Sequence, residues 1–390
     1  MKIAVVIPSF YPAVVYGGTI FSSLNTCKEL VKLGQEVFVS TTNTNMYKRL
    51  EVPRNKWTEL QGIHVKYYNE TIVDKLSLRL ITSVWKDIRN ADVIHVQAIY
   101  NTPVPASLFY ARMLGKPVLL SPRGVMGDWI MNQGNSFKKT WLKFLIKPFA
   151  NRVTWHATAD QEAQEIRSRF PNAKIAIIPN GIDTEYFAAT PWLSRIDFLK
   201  QFTGKEFNGD TKVIVSMGRI HKKKGLDLLI DAFDQVLKTL PDTVLLIAGQ
   251  DEGELAQLQQ RIDKYRLQDK IIFTGALNDA DKKTFLIHAD LFALTSHNEN
   301  FGNVYAEALA SGLPVVTSIY TPWLDLEQNG CGKAVGLNVD EIKQALLDYL
   351  NIDKTLVASA ARSYIAAYSW ESIGKRFQKV FEDLKNNENE

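Results

Sequence analysis

The fold is decided by residues 296–314, which read SHNENFGNVYAEALASGLP. The apolar run 290–295 before this stretch has the length of a buried strand, and the run 314–317 begins another. Between them, the apolar residues Ala306, Leu309 and Ala310 have the spacing of a helix, and Gly312 marks its end. The stretch therefore predicts a strand, a loop, a helix and a second strand, which is the repeating unit of a parallel sheet covered by helices.

Two carboxylates, Glu299 and Glu307, stand eight residues apart in this stretch. Glu299 is predicted in the loop at the carboxyl end of a strand, where open α/β sheets bind ligands. Glu307 is predicted about one and a half turns into the helix. Phe301 with the following glycine reads as a turn that feeds the helix. Backbone N–H groups at that helix start can receive a phosphate, and they belong to Gly302, Asn303 and Val304.

This pattern resembles the signature of family-4 glycosyltransferases, which are retaining enzymes of the GT-B fold. The resemblance rests on Glu-x7-Glu with Phe-Gly inside it and on the continuation EALASGLPVV at residues 307–316. It implies an α/β protein of two doubly wound Rossmann-like domains that face a cleft. It also implies a nucleotide-diphosphate sugar as donor, with Glu299 on the donor sugar hydroxyls and Glu307 on the ribose diol.

Strand and helix patterns alternate along almost the whole chain, which predicts parallel sheets with helices on both faces. The first series of strands is predicted at 2–7, 36–40, 64–67, 92–96, 117–121, 153–157 and 174–178. The second series starts at 212–217 and continues at 243–248, 270–273, 290–295 and 314–317.

Two series of this kind predict two domains, and the resemblance says what each one binds. We expect an N-terminal acceptor-binding domain at 1–190 and a C-terminal nucleotide-sugar donor domain at 191–370. A last helix, 371–388, carries the apolar stripe of an amphipathic helix. The resemblance implies that this helix packs back on the first domain.

Composition agrees with a two-domain globular protein. A chain of 390 residues exceeds one typical core, and 46% hydrophobic with 23% charged residues is ordinary for a globular chain. The net charge of +4 is mild, and no nucleic-acid partner is expected. Two distant cysteines do not support a disulfide framework and fit a reducing, cytoplasmic compartment. No apolar stretch approaches the roughly 18 residues of a membrane-spanning helix.

Candidate phosphate ligands follow the first strand of each predicted domain. Gly218-Arg219 and Lys224 match the family pattern Gly-Arg-x4-Lys-Gly, which implies that the arginine fork and the lysine charge hold the leaving diphosphate. In the first domain, Gly17 and Gly18 resemble the family's glycine loop, where backbone approaches the phosphates, although a plain tight turn is an alternative. The nucleoside base is expected to stack near the end of the strand at 270–273, against Thr274 and Gly275.

The acceptor side departs from the family pattern at two positions. His95 ends a predicted strand, and Gln97 stands where relatives usually carry a second histidine. Arg123 stands where many relatives have histidine, and it could face a negatively charged acceptor or a donor phosphate. His95 fits a buried strand-end residue better than a catalyst. These changes leave the predicted reaction class intact and bear on the acceptor.

The segment 137–152 combines aromatic and basic residues. No acidic residue occurs between Trp129 and Ala159, whereas five cations do: Lys138, Lys139, Lys143, Lys147 and Arg152. One interpretation is a helix that lies on an anionic membrane surface, at the inner face of the membrane. The alternative is that Phe137, Trp141 and Leu145 face the core while the lysines are merely solvated.

No metal or other cofactor is expected. The six histidines lack ligand spacing, and Asp279-Ala-Asp281 reads as a helix cap rather than a metal motif. The sequence thus predicts a retaining glycosyltransferase that moves a sugar to a hydroxyl of a glycan or lipid-linked saccharide, in surface polysaccharide or glycolipid assembly. Two alternatives remain, a nucleotide-sugar epimerase of the same fold and a non-catalytic nucleotide-sugar-binding subunit.

Overall fold

The structure is a computed structural model that describes residues 1–46, 48–70, 75–127, 136–188 and 193–386. It divides the chain into two compact units, the first comprising Met1–Gly181 with Trp370–Glu390 and the second Ile182–Ser369. The division falls at Gly181 and not at residue 190 as expected. The sequence placed the boundary later because the described residues between Ile182 and Lys212 form short helices and no strand, so no strand pattern marks where the second unit begins.

The first unit is built on one large sheet. Its described strands are β1 (Lys2–Val6), β2 (Glu36–Thr42), β5 (Trp57–Leu60), β6 (Ile63–Tyr68), β7 (Val93–Gln97), β8 (Val118–Ser121), β9 (Thr154–Ala157) and β10 (Lys174–Ile177), while β3 (Thr44–Asn45) and β4 (Lys48–Arg49) pair separately. The order is β10-β9-β8-β7-β1-β2-β6-β5. Neighbouring strands are parallel except for β5 and β6 at one edge.

The second unit holds a parallel sheet. Within the described residues its strands are β11 (Lys212–Met217), β12 (Thr243–Ala248), β13 (Ile271–Gly275), β14 (Leu291–Leu294), β15 (Val315–Ser318) and β16 (Gly332–Val335). They follow the order β13-β12-β11-β14-β15-β16. The direction of strand addition therefore reverses between β11 and β14, and in a doubly wound sheet such a reversal opens a crevice at the carboxyl ends of the strands.

Helices connect the strands in both units. In chain order the described α-helices are α1 (Gly18–Lys32), α2 (Leu78–Ile88), α3 (Pro103–Met113), α4 (Ser136–Trp141), α5 (Asp160–Arg169), α6 (Thr184–Ala188), α7 (Arg195–Thr203), α8 (Leu226–Leu237), α9 (Leu255–Tyr265), α10 (Asp279–Ile287), α11 (Asn303–Ala310), α12 (Val339–Leu350), α13 (Lys354–Ile365) and α14 (Trp370–Asn386). A π-helix, Leu142–Ile146, continues α4.

The first unit has a hydrophobic core on each face of its sheet. Side chains alternate along β1, so that Ala4 and Val6 join one core while Ile3 and Val5 join the other. The second of these cores is completed by α14, which contributes Ile373, Phe377 and Phe381.

Helix α14 approaches α1 very closely at Gly374. A Cβ atom on Gly374 would lie 2.8 Å from the Cβ of Glu29, so only glycine allows this approach. The predicted last helix thus begins at Trp370 and belongs to the first unit.

Candidate functional site

In the second unit the predicted site residues lie where the strand order reverses. The loop after β11 carries Gly218, Arg219 and Lys224, and the loop after the neighbouring strand β14 carries Glu299. Both loops therefore leave the same edge of the sheet side by side. The sheet topology brings together residues that are 75 positions apart in the sequence.

Lys224 and Glu299 form an ion pair. The Nζ atom of Lys224 lies 2.6 Å from Oε2 of Glu299, and the two side chains are 13% and 16% exposed. The hydroxyl of Ser296 donates to the same oxygen at 3.4 Å. The aliphatic stem of Lys224 passes over Gly218, since a Cβ there would lie 3.5 Å from Cε of Lys224. In this structure the two groups therefore neutralise each other.

Gly302 allows the Glu299 loop to pack against α11. Its φ of +74° lies in the left-handed region, and a Cβ on it would lie 2.5 Å from the ring of Tyr305 and 2.9 Å from Cγ of Glu299. The Tyr305 hydroxyl donates to the carbonyl of Leu294 at 3.1 Å. Burial raises the pKa of Tyr305, and the nearby carboxylate of Glu299 raises it further, so this hydroxyl stays protonated.

Glu307 is a buried carboxylate, and only one of its two oxygens has a hydrogen-bond partner among the described residues. Its side chain points from the second turn of α11, and Oε1 accepts a hydrogen bond from Nζ of Lys282 at 2.9 Å. The other oxygen, Oε2, is buried and has no hydrogen-bond partner among the described residues. Burial raises the pKa of Glu307, while Lys282 opposes that rise. A buried acceptor without a donor is costly, so Oε2 is well placed to receive hydroxyl groups of a ligand.

Arg219 does not share a partner with Lys224. Its Nη1 lies 3.0 Å from both carboxylate oxygens of Glu252, and its side chain is 68% exposed. The two cations expected at the diphosphate are thus each paired with a carboxylate, Arg219 at the surface and Lys224 in a more buried position.

The remaining predicted donor residues differ in their surroundings. Phe301 is 3% exposed, packs its ring 5.1 Å from that of Trp323, and accepts a hydrogen bond on its carbonyl oxygen from Trp323 Nε1 at 2.7 Å. Its side chain therefore belongs to the core and fixes the loop. Partly exposed positions are found at the start of α11 and the end of β13, namely Asn303, Val304 and Thr274, whereas Gly275 is exposed.

The Asp279-Ala-Asp281 motif lies at a helix start, as expected, but the cap is one residue earlier. The side chain of Asn278 accepts from the backbone N–H of Asp281 at 2.9 Å, and both aspartates lie in the first turn of α10. Within the described ranges no three His, Cys, Asp or Glu side chains gather into a group that could hold a metal. Metal independence itself stays a prediction.

In the first unit, the predicted glycines open α1. Gly17 has φ of +73° and separates a short turn from the helix, which begins at Gly18. The loop follows β1, next to which β7 ends in Gln97. The strand order of this sheet also reverses between β1 and β7, so both features lie at the ligand-binding position of a doubly wound sheet.

Gln97, His95 and Arg123 are connected by hydrogen bonds. The Oε1 atom of Gln97 accepts from Arg123 at 2.6 Å (Nη2) and 3.1 Å (Nε), and from the hydroxyl of Ser23 at 2.8 Å. The Nε2 atom of Gln97 lies 3.4 Å from Nδ1 of His95. The structure therefore brings the three predicted acceptor-side residues together.

The chain of hydrogen bonds continues inward through two more buried side chains. Nε2 of His95 lies 2.8 Å from Oγ of Ser121, which lies 2.7 Å from Nδ1 of His156. Nε2 of His156 lies 2.7 Å from the carbonyl oxygen of Ile178. Burial lowers the pKa of His95 well below its usual value and that of His156 to about 3, helped by the charge of Arg123. Both imidazoles are therefore neutral, and His95 is buried, while its role stays a prediction.

Two family models match the chain. The model described as "Glycosyltransferase Family 4" matches residues 16–186, and "Glycosyl transferases group 1" matches residues 197–364. The chain belongs to glycosyltransferase family 4.

Relatives of this glycosyltransferase match along nearly its whole length. Alpha-monoglucosyldiacylglycerol synthase of Streptococcus pneumoniae is 24% identical, with 98% of this chain and 86% of that protein aligned. The GPI3 subunit of phosphatidylinositol N-acetylglucosaminyltransferase from Saccharomyces cerevisiae is also 24% identical, covering 98% and 83%. The crystal structure of HepE from Anabaena in complex with UDP superposes with a TM-score of 0.76 at 20% identity, covering 98% and 100%. The fold is therefore GT-B, as predicted.

Several residues of this glycosyltransferase site were not predicted from the sequence. Glu252 and Lys282 form ion pairs with Arg219 and Glu307, respectively. Charged residues of these types are common on protein surfaces, and neither one lies in a recognisable motif. Ser121 and His156 lie inside predicted strands, where strand patterns say nothing about hydrogen bonding. A pairing rule for buried charges could have predicted that Glu307 needs a cation, although not which one.

The basic segment of the glycosyltransferase is helical and exposes aromatic side chains. Phe137 is 64% and Phe144 is 63% exposed, whereas Leu142 and Ile146 are buried. Trp141 donates from Nε1 to the carbonyl of Ile99 at 2.9 Å. The alternative in which Phe137, Trp141 and Leu145 face the core therefore holds for Trp141, which packs against the core, and not for the exposed Phe137 and Leu145. No helix within the described ranges combines the length and the apolar character needed to cross a membrane.

Proposed function

We propose that this glycosyltransferase moves a sugar from a nucleotide-diphosphate sugar to a hydroxyl of a glycan or lipid-linked acceptor, with retention of configuration. The observation that carries the proposal is the arrangement at the strand reversal of the second unit. There a lysine and a glutamate pair at 2.6 Å, and the next helix offers the buried Oε2 of Glu307, for which no described residue supplies a hydrogen bond. In this proposal Lys224 serves the diphosphate, Glu299 the sugar and Glu307 the ribose.

In this proposal the donor is held by charge and by hydrogen bonds to its hydroxyls. Lys224 and Arg219 exchange their carboxylate partners for the diphosphate, whose charge grows as the sugar bond breaks. Glu299, released from Lys224, accepts from the donor sugar hydroxyls, and Oε2 of Glu307 accepts from the ribose. The backbone N–H groups of Gly302 to Val304, at the start of α11, donate hydrogen bonds to the phosphates. The complex of HepE with UDP supports the proposal that this fold binds a nucleotide here.

For the acceptor we place the binding residues in the first unit, around Gln97, His95 and Arg123. His95 acts there through its neighbours, because it is buried and neutral. The relatives support a lipid-linked acceptor, since by their names one makes a glucosylated diacylglycerol and the other glycosylates phosphatidylinositol. Glycolipid or surface polysaccharide assembly on the cytoplasmic side of a membrane is the process that fits such an acceptor.

Retention follows in this proposal from front-face transfer. No nucleophilic side chain is assigned to the sugar, so the departing phosphate takes the proton of the acceptor hydroxyl while that hydroxyl attacks from the same face. The cations Lys224 and Arg219 lower the energy of the leaving diphosphate in the role that a divalent metal plays in other transferases.

Transfer should therefore be acceptor-dependent and metal-independent. We expect the protein, given UDP- and GDP-sugars with a bacterial lipid extract, to release nucleoside diphosphate only when the extract is present. The rate should persist in excess EDTA, because fixed cations of the protein supply the charge. Chromatography of the nucleotide and NMR of the glycosylated product would measure the rate and the anomeric configuration.

The same assay separates the alternatives. An altered nucleotide sugar formed without extract would indicate an epimerase, and binding of a nucleotide sugar without any turnover would indicate a non-catalytic subunit. A strict requirement for Mg²⁺ or Mn²⁺ would contradict the proposed role of Lys224 and Arg219.

We further propose that residues 137–152 place the enzyme peripherally on an anionic membrane surface. The segment presents exposed phenylalanines at 137 and 144 beside lysines, one of which, Lys143, lies 5.3 Å from the ring centre of Phe144. Apolar rings that enter the interface together with lysines that meet lipid phosphates are typical of helices lying in a membrane surface. The ring of Phe137 contacts that of Trp141 at 5.7 Å between ring centres, yet most of its surface stays exposed, as does that of Phe144.

Replacing Lys138, Lys139 and Lys143 by Glu should abolish sedimentation of the protein with phosphatidylglycerol vesicles. Each lysine contributes about 1 kcal/mol at such a surface, and each glutamate is repelled. A control with the same change of net charge replaces three exposed lysines of the second unit, Lys200, Lys238 and Lys264. That control should still sediment. Unchanged sedimentation of the first variant, or none with the wild type, would favour a merely solvated helix.

A further inference from the structure

Arg123 is held in a strained and well-defined position. Its backbone φ of +62° lies in the left-handed region, which is unfavourable for a residue with a side chain. The guanidinium donates to Oε1 of Gln97, to Oγ of Ser23 at 3.3 Å and to Oδ1 of Asn180 at 3.4 Å. Three segments that are far apart in the sequence thus fix one side chain.

All these acceptors are neutral. Within the described ranges, Arg123 forms no ion pair with a carboxylate. The carboxylate of Glu162, whose charge acts on Arg123, accepts hydrogen bonds from the backbone N–H groups of Gly124 at 2.6 Å and Thr158 at 2.8 Å. Burial lowers the pKa of Arg123 to about 10, which still leaves it charged at neutral pH. The result is a largely buried cation with no carboxylate at ion-pair distance among the described residues, and such a charge is unfavourable unless something pairs with it.

The buried hydrogen-bond chain explains why Gln97 presents its oxygen to Arg123. His156 must carry its proton on Nε2, because Nε2 faces a carbonyl oxygen, so Nδ1 accepts from Ser121. Ser121 then accepts from Nε2 of His95, which leaves Nδ1 of His95 as an acceptor for the amide N–H of Gln97. The amide oxygen of Gln97 must therefore point at the guanidinium. Gln97 is a positioning residue for Arg123.

We propose that Arg123 binds a phosphate group of a substrate in the first unit. Arg123 as a whole residue is partly exposed, its guanidinium is planar, and not all of its five N–H groups are used by the neutral acceptors. An arginine fork matches phosphate geometry, and a bound phosphate supplies the missing negative charge. The proposal rests on the proposed transfer reaction, in which a phosphate can come from the acceptor or from the donor diphosphate.

Neutralising Arg123 without changing the shape of its surroundings tests this assignment. Asn180→Asp replaces an amide by a carboxylate of the same size beside the guanidinium, so the variant should keep or raise the thermal midpoint. Its affinity for inorganic phosphate should fall roughly 10- to 100-fold, as should that of Arg123→Gln. Phosphate binding is followed by ³¹P NMR in full-length protein carrying Lys224→Gln, which removes the main phosphate ligand of the second unit. Arg123→Lys keeps the charge and should recover part of the affinity.

Binding of UDP or GDP to the same variants with native Lys224 distinguishes the source of the phosphate. Unchanged nucleotide affinity together with lost phosphate affinity assigns Arg123 to the acceptor. A parallel loss of both assigns it to the donor diphosphate. Phosphate binding that is unchanged in Asn180→Asp and Arg123→Gln, or absent from the Lys224→Gln parent, would overturn the proposal. None of these measurements requires sugar transfer, so a failure of the proposed function would be seen separately.

Discussion

Replacing Glu299 by Gln is expected to lower kcat by about 10²–10³, the scale of losing one preorganised electrostatic contact. The donor sugar becomes cationic as its bond to the diphosphate breaks. The negative carboxylate of Glu299 then attracts the sugar more strongly than it does in the ground state. Gln keeps the shape and the hydrogen bond from Ser296 but not the charge. Because the effect belongs to the transition state, the donor KM should change much less than kcat.

Steady-state rates over a range of donor concentrations would measure both constants for Glu299→Gln. A matched control is Glu327→Gln, which removes one charge from the exposed ion pair of Glu327 with Lys333 and should leave kcat unchanged. The roles proposed for the two site glutamates would be reversed or wrong if Glu299→Gln kept full kcat while Glu307→Gln lost it.

Replacing Glu307 by Gln should raise the donor KM about 10- to 100-fold with a smaller effect on kcat. Its Oε2 is buried with no hydrogen-bond partner in the described part of the chain, and in the proposed complex it accepts from the ribose, far from the breaking bond. Hydrogen bonds to a charged group contribute roughly 1.5–3 kcal/mol and act alike in the ground and transition states. A Gln at this position keeps one acceptor but turns the other oxygen into a donor.

Calorimetric titration of UDP and GDP would show the same loss without any transfer assay, and circular dichroism would show whether the variant stays folded. Lys282→Gln is a useful companion, because it removes the ion-pair partner of Glu307 and leaves the carboxylate in place. Nucleotide affinity should fall less in Lys282→Gln than in Glu307→Gln. Equal nucleotide affinity in Glu307→Gln and wild type would remove Glu307 from the donor site.

Most of the fold could be predicted because central strands of parallel sheets are apolar on both faces. The predicted strand at 2–7 is found at Lys2–Val6, and the predicted strand at 212–217 is found at Lys212–Met217. Two of the edge strands, β5 and β16, were missed for the opposite reason. Trp57–Leu60 is only partly buried, and Gly332–Val335 is short and contains two small residues, so neither gives a hydrophobic run. The turn Gln61-Gly62, with positive φ at both residues, was an available signal for the first of them.

The site could be predicted residue by residue but not as a set of contacts. Lys224 and Glu299 were each recognisable in a motif, yet their ion pair depends on the loops after β11 and β14 lying side by side. Phe301 was expected beside the donor, and its burial against Trp323 shows that a motif residue can be required by packing. The chain from Gln97 to His156 depends on tautomers and on strand register, which periodicity does not encode.

The discontinuity of the first unit has a consequence for how the protein is made. The second unit is one continuous segment, so all of its residues are synthesised before the last helix of the first unit. Until α14 arrives, the core that receives Phe377 and Phe381 stays open, and the buried imidazole of His95, whose ring centre lies 5.7 Å from that of Phe377, faces water. Domains generally fold as units during synthesis. Here the unit whose synthesis starts first is therefore the last to be completed.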